Sequence, residues 1–109
     1  MKYYEARDSY RKAKALGNRN LKDEKIISMY PRWAYNYARD VLKGRFELGE
    51  ESISKNSELS YYYARDILKG RFTDGENVIK KCTDHSYMYN KFMKEKLSPS
   101  EYIAFKLEF

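Results

Sequence analysis

Tyr35-Asn36-Tyr37-Ala38-Arg39-Asp40-Val41-Leu42-Lys43-Gly44-Arg45-Phe46 returns 26 positions later as Tyr61-Tyr62-Tyr63-Ala64-Arg65-Asp66-Ile67-Leu68-Lys69-Gly70-Arg71-Phe72. The match continues past this word: Gly49-Glu50 recurs as Gly75-Glu76, and Ile53 as Ile79. Self-similarity at a fixed period of this length marks a repeat architecture, in which each unit buries its apolar face against its neighbours. A further step of 26 reaches Tyr87-Met88-Tyr89-Asn90-Lys91-Phe92-Met93, an eroded copy. After it, Leu97-Ser98-Pro99-Ser100-Glu101-Tyr102-Ile103 fits Phe72 to Val78 once one residue is deleted. Upstream, Tyr3-Tyr4-Glu5-Ala6-Arg7-Asp8 matches Tyr61 to Asp66 with one substitution, 32 residues before the second copy, which makes the first unit about six residues longer. The tail of that unit, Leu21 to Ile27, aligns with Glu47 to Ile53 without a gap. The chain is thus expected to be a single helical-repeat domain, 1–109, of four units near 1–30, 31–56, 57–82 and 83–109. The atypical units stand at the two ends, as in solenoids whose outer faces meet water.

Each unit reads as two helices. Leu59, Tyr62, Tyr63, Ile67 and Leu68 have the i, i+3, i+4 spacing of an amphipathic helix. Gly70 follows as the expected left-handed C-terminal residue, and Gly44 has the same role in the preceding unit. A shorter helix is expected from Thr73-Asp74-Gly75-Glu76, whose spacing fits a capping box. Ser98-Pro99-Ser100-Glu101 offers the cap, the helix-starting proline and the third-position glutamate together, and Pro31 also marks a helix start. No segment alternates with period two for long enough to suggest a strand. The expected fold is all-α, a small solenoid-like array of helix-turn-helix repeats.

Composition narrows the classes. The chain is long enough for one core but not two, and its apolar content leans on twelve tyrosines and five phenylalanines. A thin two-layer array suits tyrosine, which buries its ring and keeps its hydroxyl wet. The formal charge of +6, with both signs interspersed, favours acidic partners without reaching the charge of dedicated nucleic-acid binders. The lone Cys82 excludes an intrachain disulfide and suits a reducing cytoplasm. No apolar stretch approaches the roughly 20 residues that span a bilayer, and the N-terminus enters the repeat at once, so neither membrane partner nor signal peptide is expected.

Aligning the first helices exposes a ladder. Tyr3, Tyr35, Tyr61 and Tyr87 share one repeat position; Arg7, Arg39, Arg65 and Lys91 follow four residues on; Arg11, Lys43, Lys69 and Glu95 follow four further on. Spacing of i, i+4, i+8 places the three on one stripe of each helix. Side by side, such stripes set a row of rings beside rows of cations, able to stack bases and hold phosphates or to grip an acidic protein surface. A solvated cation–π face would carry the same residues. Asp8, Asp40 and Asp66 follow the arginines, and Phe92 takes that place in the last unit. Pairing of each Asp with the cation of the following unit would explain the change, since the last Asp would lack a partner. Ala6, Ala38, Ala64 and Asn90 read as close-packing positions, and Phe46 and Phe72 as core. Arg45 and Arg71 either cap the last carbonyls of their own helices or face a ligand. Trp33 reads as a core plug beneath the first unit, with an interface anchor as the alternative.

Catalytic chemistry finds little to build on. His85 is the only histidine and aligns with the apolar Trp33 and Leu59, and Cys82 lacks a second thiol or an arranged base. Glu50, Glu51 and Glu76 are placed as acids favoured by helix N-termini rather than as a carboxylate pair. No enzyme, cofactor or metal is expected.

The words Tyr-Ala-Arg-Asp-Val-Leu-Lys-Gly-Arg-Phe and Tyr-Ala-Arg-Asp-Ile-Leu-Lys-Gly-Arg-Phe, each with Gly-Glu three residues on, resemble short tandem helical repeats in small proteins of tailed phages and prophages. The resemblance covers Tyr35 to Lys81 well and the flanks loosely. It implies a phage or prophage origin, action in the bacterial cytoplasm, and inhibition of host machinery such as a CRISPR or other defence component. The expected docking face is Tyr35, Arg39, Lys43, Tyr61, Arg65 and Lys69, flanked by Arg7 and Lys91. A host protein is the first expected partner, nucleic acid the second, and self-association through the end repeats the third.

Overall fold

Leu59, Tyr63 and Ala64 of one helix and Ile79 of the next bury almost completely, and this pairing of a first and a second helix recurs along the chain. The computed structural model describes residues 2–109, and among them helices are the only regular structure. Helix α1 is Lys2–Leu16; α2 covers 21–28, a 3-10 turn Leu21–Asp23 running into Glu24–Ser28. Helix α3 covers 31–42, Pro31–Tyr37 continued by the π-helical Ala38–Leu42; α4 covers 47–53, Glu47–Gly49 into Glu50–Ile53. Helix α5 covers 57–68, Ser57–Tyr62 continued by the π-helical Tyr63–Leu68; α6 covers 73–80, Thr73–Gly75 into Glu76–Lys80. Helices α7, Thr83–Lys96, and α8, Pro99–Glu108, are α-helical throughout. The odd helices pack side by side, α1 on α3, α3 on α5 and α5 on α7, while α2, α4 and α6 form a second layer. The result is an elongated all-α array of 42 × 24 × 18 Å.

The core repeats with the sequence. Ile27, Ile53 and Ile79 are fully buried, and the Phe46 and Phe72 rings sit 5.0 Å from Tyr37 and Tyr63 between the two layers, as expected of them. Ala6, Ala38 and Ala64 are fully buried, which lets the odd helices approach closely. Trp33 is the plug beneath α1: its ring stacks on Tyr10 at 5.6 Å and leans on Tyr3 at 5.5 Å.

The helix caps depart from expectation in one respect. Gly44 and Gly70 do not hold the left-handed conformation; Lys43 and Lys69 do, at φ 52° and 54°. The π-helical turn precedes this reversal: widening admits one extra residue, the N–H groups of Lys43 and Gly44 both return to the Ala38 carbonyl, and the left-handed residue falls five places after the alanine. In α1, which lacks the bulge, Gly17 reverses the chain at φ 69° and Asn18 N–H closes on Ala13 O at 3.3 Å. Gly17 stands 26 residues before Lys43, but Ala13 stands 25 before Ala38; the difference is the bulge residue. The fourth unit needs a one-residue deletion for the same reason, since α7 has no π turn.

The glycines that close packing requires are others. A Cβ on Gly49 would lie 2.7 Å from the Phe46 ring and 2.8 Å from Ala34 Cβ; one on Gly75 would lie 2.6 Å from Ser60 Oγ. The capping box at Ser98 forms, with Ser98 N–H donating to Glu101 Oε1 at 2.8 Å and Glu101 N–H to Ser98 Oγ at 3.3 Å. The one expected at Thr73 does not, because Glu76 is drawn instead to Arg71 and Tyr89.

Candidate partner-binding face

The ladder tyrosines do not form a row of open rings. Tyr35 and Tyr61 are buried, and the guanidinium groups of Arg39 and Arg65 lie over them, each 5.3 Å from the ring centre. Arg65 also stacks against Tyr62 at 4.9 Å. Each arginine then forks onto the aspartate beside it: Nε and Nη2 of Arg39 donate to Asp40 at 2.7 and 2.9 Å, and Arg65 repeats this with Asp66. A planar guanidinium suits both contacts at once, which a lysine ammonium would not. Their side chains keep 46% and 40% of their surface, so both present a fixed cation outward.

The aspartates reach backwards, not forwards. Tyr10 OH donates to Asp40 and Tyr35 OH to Asp66 Oδ2 at 2.6 Å, while Lys14 Nζ lies 3.8 Å from Asp40. The Arg39 fork holds the Asp40 carboxyl down to about 2 against the opposing effect of burial, with the Tyr10 hydroxyl adding to it. Burial, then the bond to Asp66, pushes the Tyr35 hydroxyl up to about 12. The forward pairing expected for these aspartates is therefore corrected. Under the observed direction, Phe92 leaves Tyr61 without the carboxylate that Tyr10 and Tyr35 have.

Three expected members of the face, Arg7, Lys43 and Lys69, stand elsewhere. Arg7 lies over Tyr4 at 4.8 Å and bonds Asp8, two turns before Lys14. Lys14 takes the place of Arg39 in that unit, beside Tyr10. The seven residues from Tyr3 to Tyr10 are two helical turns, so both words fall on one face and sequence alone does not separate them. Lys43 and Lys69 are exposed at the left-handed ends of α3 and α5, off the stripe that the π turn interrupts. Lys91 is exposed on α7 beside Tyr87, and with Arg65 and Glu95 it borders a groove of about 360 Å³ floored by Tyr61, Met88 and Phe92.

A second constellation runs through the seams and was not anticipated. Arg19, Arg45 and Arg71 fork onto Glu24, Glu50 and Glu76, and Tyr37, Tyr63 and Tyr89 of the next unit each donate to the same carboxylate at 2.6 Å. Each of these hydroxyls also accepts the backbone N–H of Asn20, Phe46 or Phe72, at 2.9 to 3.0 Å. Arg45 and Arg71 thus fork onto the glutamates of their own units rather than capping the last carbonyls of their helices. Burial, then the bond to Glu24, pushes the Tyr37 hydroxyl to about 12, and burial raises Tyr63 and Tyr89 further. The signal was present: Arg, Glu and Tyr recur at the same offsets in three units, but their spacing of 5 and 13 residues belongs to no single helix face.

Outside these networks the chemistry is sparse. His85 Nδ1 lies 2.9 Å from Ser57 Oγ across the α5–α7 seam, and Cys82 is a half-buried thiol at the start of α7. Among the described residues no three His, Cys, Asp or Glu side chains gather as a metal site, and no helix is long and apolar enough to cross a membrane. In comparisons with family models, curated proteins and solved structures, no family, no curated protein and no solved structure matches this chain.

Proposed function

We propose that this chain is a non-enzymatic helical-repeat binding protein of phage or prophage type that docks on a host macromolecule in the bacterial cytoplasm and inhibits it. The observation that carries the reading is the pair Arg39 and Arg65. Both cations are held by ring and carboxylate on neighbouring units, and both remain half exposed. Side chains ordered before contact lose little freedom on binding, and arginine is favoured at protein hot spots. A host protein is the preferred target, a defence component being one example, because the Tyr35 and Tyr61 rings lie under the arginines and offer no face for stacking a base.

The test is capture from bacterial lysate by the tagged protein, with and without nuclease, alongside the double variant Arg39→Gln/Arg65→Gln. A captured protein that survives nuclease and drops at least ten-fold in the variant is the expected result, with the melting temperature of the variant within a few degrees. Capture that vanishes with nuclease and with rising salt would transfer the site to nucleic acid.

A further inference from the structure

Each odd helix before α7 carries a neighbour on one stripe. Helix α5 packs on α7, with Ser57 meeting His85 and Tyr61 bordering Tyr87, Met88 and Phe92, and with Tyr61 and Ala64 buried. Helix α3 holds α5 likewise, with Tyr35 bonding Asp66 and its ring 6.1 Å from Tyr62. The residues of α7 26 positions on from Ser57, Tyr61 and Ala64 are Thr83, Tyr87 and Asn90, and among the described residues no helix packs on them as α7 packs on α5. With Lys80, Lys91 and Tyr102 they border an open groove of about 950 Å³.

This groove has the shape of a helix seat without the chemistry of an inner seam. Asn90 stands where the fully buried Ala64 and Ala38 do, and the exposed Lys94 follows it one turn on. Tyr102 OH bonds Asn90 Oδ1 at 3.0 Å, so the amide is held in place. Tyr87 keeps 68% of its surface and offers the ring that Tyr35 and Tyr61 bury. Three lysines, Lys80, Lys91 and Lys94, border the groove against the single carboxylate Glu95. A second copy stacking head to tail would bring α1 here, and α1 carries five cations against two carboxylates, so the two surfaces repel.

We infer that the α7–α8 groove receives one amphipathic α-helix of a partner protein, apolar toward Tyr87 and Tyr102 and acidic on the flanks toward the three lysines. The mode is the helix-in-groove docking by which amphipathic targets are recognised, with lysines choosing acidic flanks over basic ones. It rests on the reading of this chain as a protein-binding repeat and names the chemistry of the partner.

The test uses the full chain, isotope-labelled for amide shift mapping, and a stapled helix of about four turns, roughly 14 residues, apolar on one face and glutamate on the flanks. The same helix with lysine flanks is the control. The acidic helix is expected to bind at least ten-fold more tightly, with shifts centred on Lys80, Tyr87, Asn90 and Lys94. Lys80→Glu/Lys94→Glu should reverse the preference at unchanged melting temperature, and Arg39→Gln/Arg65→Gln should leave it alone. Absence of binding by the acidic helix, shifts centred on Arg39 and Arg65, or displacement from the groove by a single-stranded oligonucleotide of equal affinity would each overturn the inference. Lysate capture that persists without probe binding removes the groove and spares the arginine row. Probe binding without a captured host protein does the reverse.

Discussion

The seams between inner units and the last unit are built from the same positions with opposite chemistry. At the seam between α3 and α5, Ala38 and Tyr35 are covered, and Asp66 accepts the Tyr35 hydroxyl. On α7 the same positions hold Asn90 and Tyr87, Phe92 replaces the aspartate, and Lys94 beyond them is exposed. The inner pattern closes surfaces, because the Tyr10, Tyr35, Tyr37 and Tyr63 hydroxyls each find a carboxylate one unit away. The outer pattern keeps a helix-shaped surface wet and charged. Erosion of a repeat can therefore be a change of task at a position, rather than loss of signal.

Paired substitutions put that contrast at risk. Tyr63→Phe removes the donor to a buried glutamate and the acceptor of Phe46 N–H, and should cost about 3 kcal/mol, the range for a bond to a charged group whose partners stay buried. Tyr102→Phe at the groove removes one bond to a half-buried amide and should cost under about 1 kcal/mol. Urea unfolding of both variants checks the pair; equal losses would erase the distinction between inner and outer units.

A smaller effect separates two glycines of one unit. Gly49→Ala forces a methyl against Phe46 and Ala34 and should cost about 1–3 kcal/mol by overpacking. Gly44→Ala meets nothing nearer than 3.9 Å and has no positive φ, so its stability should stay within about 0.5 kcal/mol of the parent. Thermal melts decide this, and a Gly44→Ala loss as large as that of Gly49→Ala would mean the cap was misplaced.

A subtler change approaches the last seam from the other side. Phe92→Asp restores an acceptor opposite Tyr61 while giving up a half-buried ring, so it should destabilise by less than Phe92→Ala, by about 1 kcal/mol. Urea unfolding of the parent and the two variants reads the difference. An aspartate that costs as much as the alanine would show that this seam is held by the ring alone.

Much of this fold is legible in the sequence. The period of 26, the two helices per unit, the buried alanines, Phe46 and Phe72, the Trp33 plug and the Ser98 capping box all follow from spacing within a helix or from direct repetition. The candidate face is legible less fully. Arg39 and Arg65 are visible as exposed-type cations above tyrosines, yet whether those rings face water or lie beneath the guanidinium groups depends on the neighbouring helix. Lys80, Lys94 and Tyr102 come from three different helices, and no spacing along the chain announces that they meet.

The all-α repeat and its stacking order were set in the chain itself, because amphipathic periodicity acts within one helix and the repeated word copies that helix unit by unit. Packing in three dimensions was needed to settle that Lys43 and Lys69, not the glycines after them, reverse the chain, in helices whose π turn adds a residue that sequence does not mark. It also chose Tyr10 over Tyr3 at the first seam, turned the aspartates toward the preceding unit, and joined Arg, Glu and Tyr across units. Those choices depend on which helix face another helix meets, and a heptad shift leaves that face unchanged to any reading of one helix alone.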